Sequence, residues 1–409
     1  MFYQPRSERC YGVCVWFVAL SLALSCVLVA AQTPTPEHQR PRRASLTTPA
    51  PDAADGLSTP VGEEVGEDEI VRVDTQLIPV PVVVRDREGR PITGLTAADF
   101  QVYEDDRPQR VATFATADAP FEVALLLDTS GSTREEVALI RRAANAFIEA
   151  LRPGDRVAVL SFGTTAEGAG KRASVEVQSY LTDDRTPLRS AIENIGASNG
   201  TPYYDALARA AQDVFRDPPA PELRGRRALV ALTDGVDSTS AADFAAARAQ
   251  LLQADVLAYF VEIDTEGYVE NRLLADCHAD SALRLSHIQL ERYRSLFDPR
   301  ADAQDYANFC QLGSFERMQI SRALYQLARQ EMNSIAHDTG GKTFAAPDLN
   351  AARAAFAEVA AEIGKQYSLG YYSTNKARAG RFRQIRVEVR GAQGAQVSAR
   401  EGYQEPSGS

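Results

Sequence analysis

Between Phe121 and Gly364, short apolar runs alternate with segments that have the periodicity of amphipathic helices. The apolar runs are FEVALLL, RVAVLSF, SVEVQSY, RRALVALT, DVLAYFVEI and GKTFAA. The clearest helical segment runs from Arg134 to Leu151, where apolar side chains recur every three or four positions. Strands that are apolar on both faces and alternate with helices form a mostly parallel sheet with helices on both sides. The sequence therefore predicts a doubly wound α/β domain over residues 119–364.

Further helices complete this alternation, and one polar stretch interrupts it. The periodicity predicts helices at 187–195, 203–215, 241–253 and 349–363, and a long helix that ends near His337. Residues 265–321 are polar and interrupt the alternation of strands and helices. We predict that residues 265–321 are a helical insertion within the α/β domain.

Residues 70–118 and 365–404 have the composition of β strands. IVRVDTQLIPVPVVVRD alternates apolar residues with others, and its prolines at 79 and 81 favour an edge or bulged strand. FRQIRVEVR, near the other end of the chain, alternates in the same way. We predict that both segments contribute to one small β-sandwich into which the α/β domain is inserted. Two separate β units are the alternative.

Residues 1–31 have the features of an export signal. Arg6 and Arg9 precede a charge-free run centred on VCVWFVALSLALSCVLVAA, and small residues up to Ala31 suit cleavage by signal peptidase. The apolar run approaches the ~20 residues that span a bilayer, so an uncleaved anchor is one alternative. A lipoprotein-like ALSC ending at Cys26 is a weaker alternative, because apolar residues follow it. Each alternative predicts a secreted or periplasmic chain, with membrane contact only through an uncleaved anchor.

Composition describes the remaining segments and limits the class of partner. Residues 32–69 are rich in Pro, Ala, Thr and charged side chains, which predicts a disordered linker, and residues 405–409 are a short tail. The net charge of -11 argues against a nucleic-acid partner, because proteins that bind nucleic acids usually carry a basic patch.

Two cysteines, Cys277 and Cys310, lie outside the predicted signal. An even pair in an oxidising compartment predicts a disulfide, which would close the insertion. Two free thiols are one alternative. A zinc site with His278 and His287 is another, although the spacing fits no common zinc pattern.

Oxygen-bearing side chains follow two predicted strands and precede one predicted helix. LLLDTSGS places Asp128, Ser130 and Ser132 after the first strand, ALVALTDG places Asp234 after a later one, and SNGTP places Thr201 before a helix. The carboxyl ends of parallel strands meet at one edge, where α/β proteins bind ligands. Carboxylate and hydroxyl oxygens suit a hard cation such as Mg²⁺, with Mn²⁺ or Ca²⁺ as alternatives. Taken singly, each motif also fits a helix cap or a turn.

This combination resembles the metal-ion-dependent adhesion site of von Willebrand factor type A domains, and the resemblance extends over the predicted α/β domain. It implies that Ser130 and Ser132 bind the metal directly, that Thr201 does so when ligand is bound, and that Asp128 and Asp234 act mostly through water. It also implies a Rossmann-like fold and a protein ligand that presents an Asp or Glu carboxylate to the metal. The flanking β segments resemble those of secreted bacterial proteins related to von Willebrand A domains.

We therefore expect a non-catalytic protein that binds another protein outside the cytoplasm. A metal-dependent phosphohydrolase with Asp128 as nucleophile is disfavoured, because Ser130 stands where such enzymes carry a second carboxylate and no lysine lies in the strand-end loops. The sequence also lacks a phosphate loop of the G-x-x-x-x-G-K type. A metal-independent scaffold is the main alternative, and it predicts partner binding that survives chelation.

Overall fold

The chain is described by a computed structural model over residues 77–116, 119–131, 133, 136–167, 170–217, 226–273, 285–375, 381–392 and 394–404. The predicted signal, linker and C-terminal tail lie outside these ranges. Within them, no helix is long and apolar enough to cross a membrane.

The described chain contains fourteen strands and eight α-helices. The strands are β1 (Leu77–Arg85), β2 (Phe100–Glu104), β3 (Arg107–Gln109), β4 (Val111–Ala115), β5 (Glu122–Leu127), β6 (Arg156–Glu167), β7 (Gly170–Thr182), β8 (Arg227–Thr233), β9 (Leu257–Ile263), β10 (Lys342–Ala346), β11 (Tyr367–Tyr372), β12 (Phe382–Val389), β13 (Gln396–Ala399) and β14 (Gly402–Gln404). The helices are α1 (Val137–Ala150), α2 (Arg185–Glu193), α3 (Tyr203–Arg209), α4 (Phe244–Gln253), α5 (Glu266–Leu273), α6 (His287–Phe297), α7 (Ser314–Thr339) and α8 (Ala352–Ile363).

The middle of the chain forms a six-stranded sheet in the order β10-β9-β8-β5-β6-β7. Its neighbouring strands are parallel except for β7, which pairs antiparallel with β6. The prediction of a mostly parallel α/β sheet is confirmed. Each of the six apolar runs picked out in the sequence contributes one strand.

Alternation along β5 explains how helices cover both faces of this sheet. Val123, Leu125 and Leu127 pack into a core with α1, α2 and α8, whereas Ala124 and Leu126 pack into a core with α3, α4 and α7. All six residues of β5 are buried, because successive side chains of a strand point to opposite faces. The strand therefore ends, at its carboxyl edge, between two filled cores.

Two further four-stranded sheets join the ends of the described chain. Their strand orders are β13-β1-β11-β4 and β14-β12-β2-β3, so each sheet combines early and late strands. Apolar side chains of both sheets belong to one cluster, which includes Val82, Val102, Leu369 and Ile385.

The prolines of β1 lie where this strand has a neighbour on one side. Pro79 and Pro81 pair with β11, and pairing with β13 begins only at Val82. Proline lacks the N–H that a second neighbour would require, so β1 behaves as an edge strand in its first half.

A helical segment lies between β9 and α7. It contains α5, α6 and two short 3₁₀ turns at Ala303–Tyr306 and Phe309–Gln311, and we call its described parts, residues 266–273 and 285–313, the inserted segment. Its apolar side chains form a separate small core with α7, built from Leu273, Leu285, Leu290, Phe309, Leu312, Ile320 and Leu324. Because α7 also packs against the large sheet, this core fixes the inserted segment to the α/β domain.

Candidate metal centre

Two neighbouring strands end in the same local turn. After β5, the Ser130 N–H donates to Oδ1 of Asp128 at 2.9 Å, and after β8 the Val236 N–H donates to Oδ1 of Asp234 at 3.0 Å. An aspartate that accepts from the N–H two residues later forms an Asx turn. Because β5 and β8 are adjacent and parallel, the two turns lie side by side at the carboxyl edge of the sheet.

The two carboxylates sit in a buried environment. The side chain of Asp128 is fully buried, and its Oδ2 accepts a hydrogen bond from the Thr233 hydroxyl at 2.7 Å. Burial, and then the charge of Asp234, raise the pKa of Asp128, while hydrogen bonds from Ser130 and Thr233 oppose this shift. Two like charges at this depth favour a proton or a cation beside them.

Thr201 reaches the same edge from the loop before α3. Its N–H donates to the Ser238 hydroxyl at 2.8 Å, and the Ser238 N–H donates to the Thr201 carbonyl at 3.0 Å. The Ser198 N–H donates to the carbonyl of Thr129 at 2.7 Å, which ties this loop to the turn after β5. Backbone hydrogen bonds therefore fix the position of Thr201 relative to both strand ends.

Asp237 and Asp205 join α3 to the segment between β8 and α4. Asp237 accepts from the Tyr203 N–H at 2.9 Å at the start of α3, and Asp205 accepts from the N–H groups of Ala241 and Ala242. These contacts with the backbone account for both aspartates. Tyr203 itself is buried in the core of the domain.

Ser130, Thr201 and Asp234 line one cavity of about 130 Å³. Asp128 lies behind them, hydrogen-bonded to Ser130. The opposite wall comes from the inserted segment and α7, through Val269, Leu285, Gln289 and Leu324. None of the described lining residues is Lys, Arg or His. The cavity thus combines a carboxylate and hydroxyl wall with a wall of apolar and uncharged polar side chains.

Asp234 is held from the insertion side as well. Its Oδ2 accepts from the Thr265 hydroxyl at 2.6 Å and from the Tyr325 hydroxyl at 3.4 Å. Gly235, which follows, has φ +73°, and a Cβ there would lie 2.9 Å from Sδ of Met332 on α7. Both the sharp turn and this close approach require glycine in the T-D-G motif.

The donor set fits a hard divalent cation. Two carboxylates and two hydroxyls converge without a sulfur, an imidazole or a basic side chain among the described lining residues. A carboxylate oxygen has two lone pairs, so an oxygen that accepts a hydrogen bond can still coordinate a cation or one of its water ligands. Ser132, the fifth predicted ligand, lies outside the described residues, so its place at this site stays a prediction.

The predicted disulfide falls partly outside the described chain. Cys310 is disulfide-bonded, whereas Cys277 lies outside the described residues, so the pairing of the two stays a prediction.

Among the described residues, another group has side chains that could bind a metal ion: atoms of His337, Asp338 and Glu401 lie within 4.8 Å of one another near the end of α7.

Three residues that position the carboxylates were missed from the sequence. Thr233 adjoins Asp234 and could have been found, because it is a hydroxyl residue at the end of an apolar strand. Thr265 and Tyr325 reach Asp234 from distant parts of the chain, and no local pattern marks them.

Comparison with known proteins identifies the central domain. Residues 123–236 match the von Willebrand factor type A domain family. The matched stretch begins in β5, ends just after β8, and contains Asp128, Ser130, Thr201 and Asp234. The family resemblance seen in the motifs is therefore confirmed. No curated protein matches the sequence.

Solved structures of related domains are similar at low identity. The von Willebrand factor type A protein from Catenulispora acidiphila is 14% identical with a TM-score of 0.38, over 82% of this chain and 74% of that one. The pilus adhesin SpaC from Lactobacillus rhamnosus GG, in an open conformation, is 9% identical with a TM-score of 0.37, over 75% and 47%. The vWF domain of the pilus tip protein Mfa5 from Porphyromonas gingivalis is 18% identical with a TM-score of 0.24, over 30% and 40%. Similarities this low carry no functional argument.

Proposed function

Because this chain carries a von Willebrand factor type A domain, we propose that it is a non-catalytic, extracytoplasmic binding protein. It binds an Asp or Glu carboxylate of a protein ligand through a divalent cation at the carboxyl edge of the six-stranded sheet. The observation that carries this proposal is the shared cavity of Ser130, Thr201 and Asp234, with buried Asp128 behind it and no basic residue among its described lining residues.

The proposed metal ligands are of two kinds, charged carboxylates and neutral hydroxyls. Asp128 and Asp234 supply negative charge, and Ser130, Ser132 and Thr201 supply neutral hydroxyl oxygens. Mg²⁺ held there, or Mn²⁺ or Ca²⁺ in its place, supplies a Lewis-acidic position for a carboxylate oxygen of the partner. Because most of the protein ligands are neutral, the site retains an attraction for that carboxylate.

The burial of Asp128 supports binding rather than phosphoryl transfer. A nucleophilic aspartate must reach a phosphorus atom, but Asp128 has no exposed surface and both of its oxygens accept hydrogen bonds. The residues that line the cavity instead present hydroxyls and one carboxylate. This arrangement suits a cation that meets its ligand at the surface.

The remaining parts of the chain have supporting roles in this proposal. The two four-stranded sheets form a β-sandwich that joins the start and end of the α/β domain. Residues 1–31 direct the chain out of the cytoplasm, and residues 32–69 link it to the folded part.

Thermal unfolding with and without Mg²⁺ tests the metal site in the purified full-length chain. We expect 10 mM Mg²⁺ to raise the unfolding temperature by about 3 °C or more, because a ligand that binds only the folded state stabilises it. Asp128→Asn and Thr201→Ala should lose this rise. Asp106→Asn is the matched control, since its side chain is 88% exposed on a distant turn.

The same measurement separates the proposal from a metal-independent scaffold. A scaffold would unfold at the same temperature with Mg²⁺ and with EDTA, and Asp128→Asn would leave its partner binding intact. An equal Mg²⁺ response in all four proteins would place the cation elsewhere and contradict the proposed site.

A further inference from the structure

A second cavity lies within the inserted segment, next to the candidate metal centre. Its volume is about 260 Å³, and its lining is Leu285, Ser286, His287, Leu290, Ala307 and Phe309. Four of these six residues are apolar, and His287 and Ala307 are exposed, so the cavity reaches the surface. An apolar cavity of ~150 Å³ already accommodates a benzene ring, so this one has room for a large side chain.

The two cavities share part of their lining. Leu285 and Ser286 border both of them. Ser286 caps α6, accepting from the Gln289 N–H at 3.2 Å while its own N–H donates to the Gln289 side chain at 2.9 Å. Gln289 lines the metal-centre cavity, and the next residue, Leu290, lines the second cavity. The first turn of α6 is therefore the partition between the two cavities.

Buried polar contacts fix this partition against the α/β domain. Arg292 of α6 hydrogen-bonds Tyr204 of α3 and pairs with Glu331 of α7, and its guanidinium lies 4.9 Å from the centre of the Tyr204 ring. The Tyr204 hydroxyl also donates to Glu331 at 2.7 Å. Since α3 follows the loop that carries Thr201, these contacts connect α6 to the element next to this loop.

The inserted segment and the start of α7 also expose large apolar side chains. Five of the nine large apolar side chains that are most exposed in the described chain lie on the inserted segment or on the first turn of α7: Tyr268, Ile288, Leu296, Phe297 and Phe315. The lining that the two cavities share indicates what occupies the second one, because a partner in the metal-centre cavity lies within reach of it.

We propose that the two cavities bind one extended segment of the protein ligand, with an acidic residue at the metal centre and a large apolar side chain in the second cavity. This inference rests on the proposed function. It adds that the inserted segment selects among acidic partners by requiring an apolar residue at a fixed spacing from the carboxylate. The lining supports this pairing of residue types, with oxygen donors in one cavity and leucine and phenylalanine side chains in the other.

Short synthetic peptides test the proposal on the full-length chain. The probe set is a fluorescent, capped glycine heptapeptide with a central aspartate, its six variants that carry one phenylalanine at each remaining position, and the same peptides with asparagine instead of aspartate. Fluorescence anisotropy with 10 mM Mg²⁺ measures each dissociation constant. We expect one or two phenylalanine positions to bind about 10- to 100-fold tighter than the peptide without phenylalanine, as burial of a large apolar side chain predicts.

Ala307→Phe supplies the critical variant, because a large side chain at this exposed lining position fills the second cavity from within. It should remove the gain from the peptide's phenylalanine and leave binding of the aspartate-only peptide within about twofold. Ala303→Phe is the matched control: Ala303 is also exposed, begins the 3₁₀ turn that ends just before Ala307, and does not line the cavity.

Four results would overturn the inference. Equal binding of all aspartate peptides would exclude the second cavity from ligand binding and leave the proposed function standing. A gain in affinity from phenylalanine that persists in Ala307→Phe would mean the same. Tight binding of an asparagine peptide that persists in EDTA would show an apolar site that is independent of the metal centre. Failure of every aspartate peptide to bind, despite a Mg²⁺ response in thermal unfolding, would overturn the proposed carboxylate ligand together with the inference.

Discussion

The metal-centre cavity has two walls that are held in place by different interactions, one at the edge of the six-stranded sheet and one on the inserted segment and α7. On the sheet side, Ser130, Thr201 and Asp234 stand at strand ends and loops that are locked by backbone hydrogen bonds. On the insertion side, Val269, Leu285 and Leu324 belong to a small separate core. The sheet wall supplies charge and the insertion wall supplies shape. The two walls are joined where the Thr265 and Tyr325 hydroxyls donate to Asp234.

Removing the contacts of Arg292, which join α6 to α3 and α7, should have the largest effect on stability. Arg292→Met leaves the nearly buried Glu331 without its cation, and loss of one partner of a buried pair costs about 4 kcal/mol. Urea denaturation measures this change in the free energy of unfolding. The rise in unfolding temperature caused by Mg²⁺ should persist, because Arg292 does not line the metal-centre cavity.

Arg322→Met is the control for this comparison. Arg322 also joins α7 to the inserted segment, through Glu270, but its side chain is 52% exposed. An exposed ion pair of this kind contributes ~0.5 kcal/mol. If Arg292→Met lowered the free energy of unfolding no more than Arg322→Met, the packing of the inserted segment would not depend on the Arg292–Glu331 pair.

On the sheet side, the buried carboxyl of Asp237 should make the free energy of unfolding depend on pH. Burial raises the pKa of Asp237 from 3.8 to about 6, against the opposing hydrogen bonds from Ser240 and Tyr203. Between these values the folded state holds a proton that the unfolded state has released, so stability falls as pH rises from about 4 to about 6 and is level above that range. At ~1.4 kcal/mol per pKa unit, the loss is about 3 kcal/mol.

Asp237→Asn isolates this contribution, since other groups titrate alike in both proteins. Urea denaturation in EDTA at pH 4.5, 5.5 and 7.5 should show the difference in unfolding free energy between the variant and the original protein changing by up to about 3 kcal/mol. A difference that is constant with pH would mean that Asp237 is ionised in the folded state throughout.

The point of contact between the walls should show a smaller effect on stability. Thr265→Val removes the hydroxyl that donates to Oδ2 of Asp234 at 2.6 Å. We expect a loss of about 1 kcal/mol in stability and about tenfold weaker Mg²⁺ binding by calorimetry, because outer partners orient metal ligands. Thr343→Val is the matched control, since the buried Thr343 hydroxyl has no hydrogen-bond partner among the described residues. Equal Mg²⁺ affinity in both variants would mean that Thr265 does not position Asp234.

The sequence predicted the sheet wall far better than the insertion wall. Strand ends follow from local apolar runs, and parallel neighbours must bring their carboxyl ends together, so Asp128 and Asp234 could be placed without coordinates. The local turn could not be placed in the same way: Ser130 turns onto Asp128 through an Asx turn, which the order of residues after the strand does not specify.

The insertion wall could not be predicted because its contacts are nonlocal. Leu285 and Leu324 meet only after α6 and α7 have packed together, and residues 265–321 show neither the strand alternation nor a strong helical periodicity. The end of this segment shows the same difficulty. The predicted insertion extends to residue 321, whereas α7 begins at Ser314 and continues to Thr339 without a break.

Binding of Mn²⁺, followed by electron paramagnetic resonance, tests the central claim most directly, because Mn²⁺ replaces Mg²⁺ at oxygen sites and its free and bound forms are distinguishable. We expect about one bound Mn²⁺ per chain, competition by Mg²⁺, at least tenfold weaker binding in Asp128→Asn, and unchanged binding in Asp106→Asn. Equal Mn²⁺ binding by Asp128→Asn and the original protein, or no binding by the folded original protein at millimolar Mn²⁺, would contradict a metal centre at the edge of the six-stranded sheet.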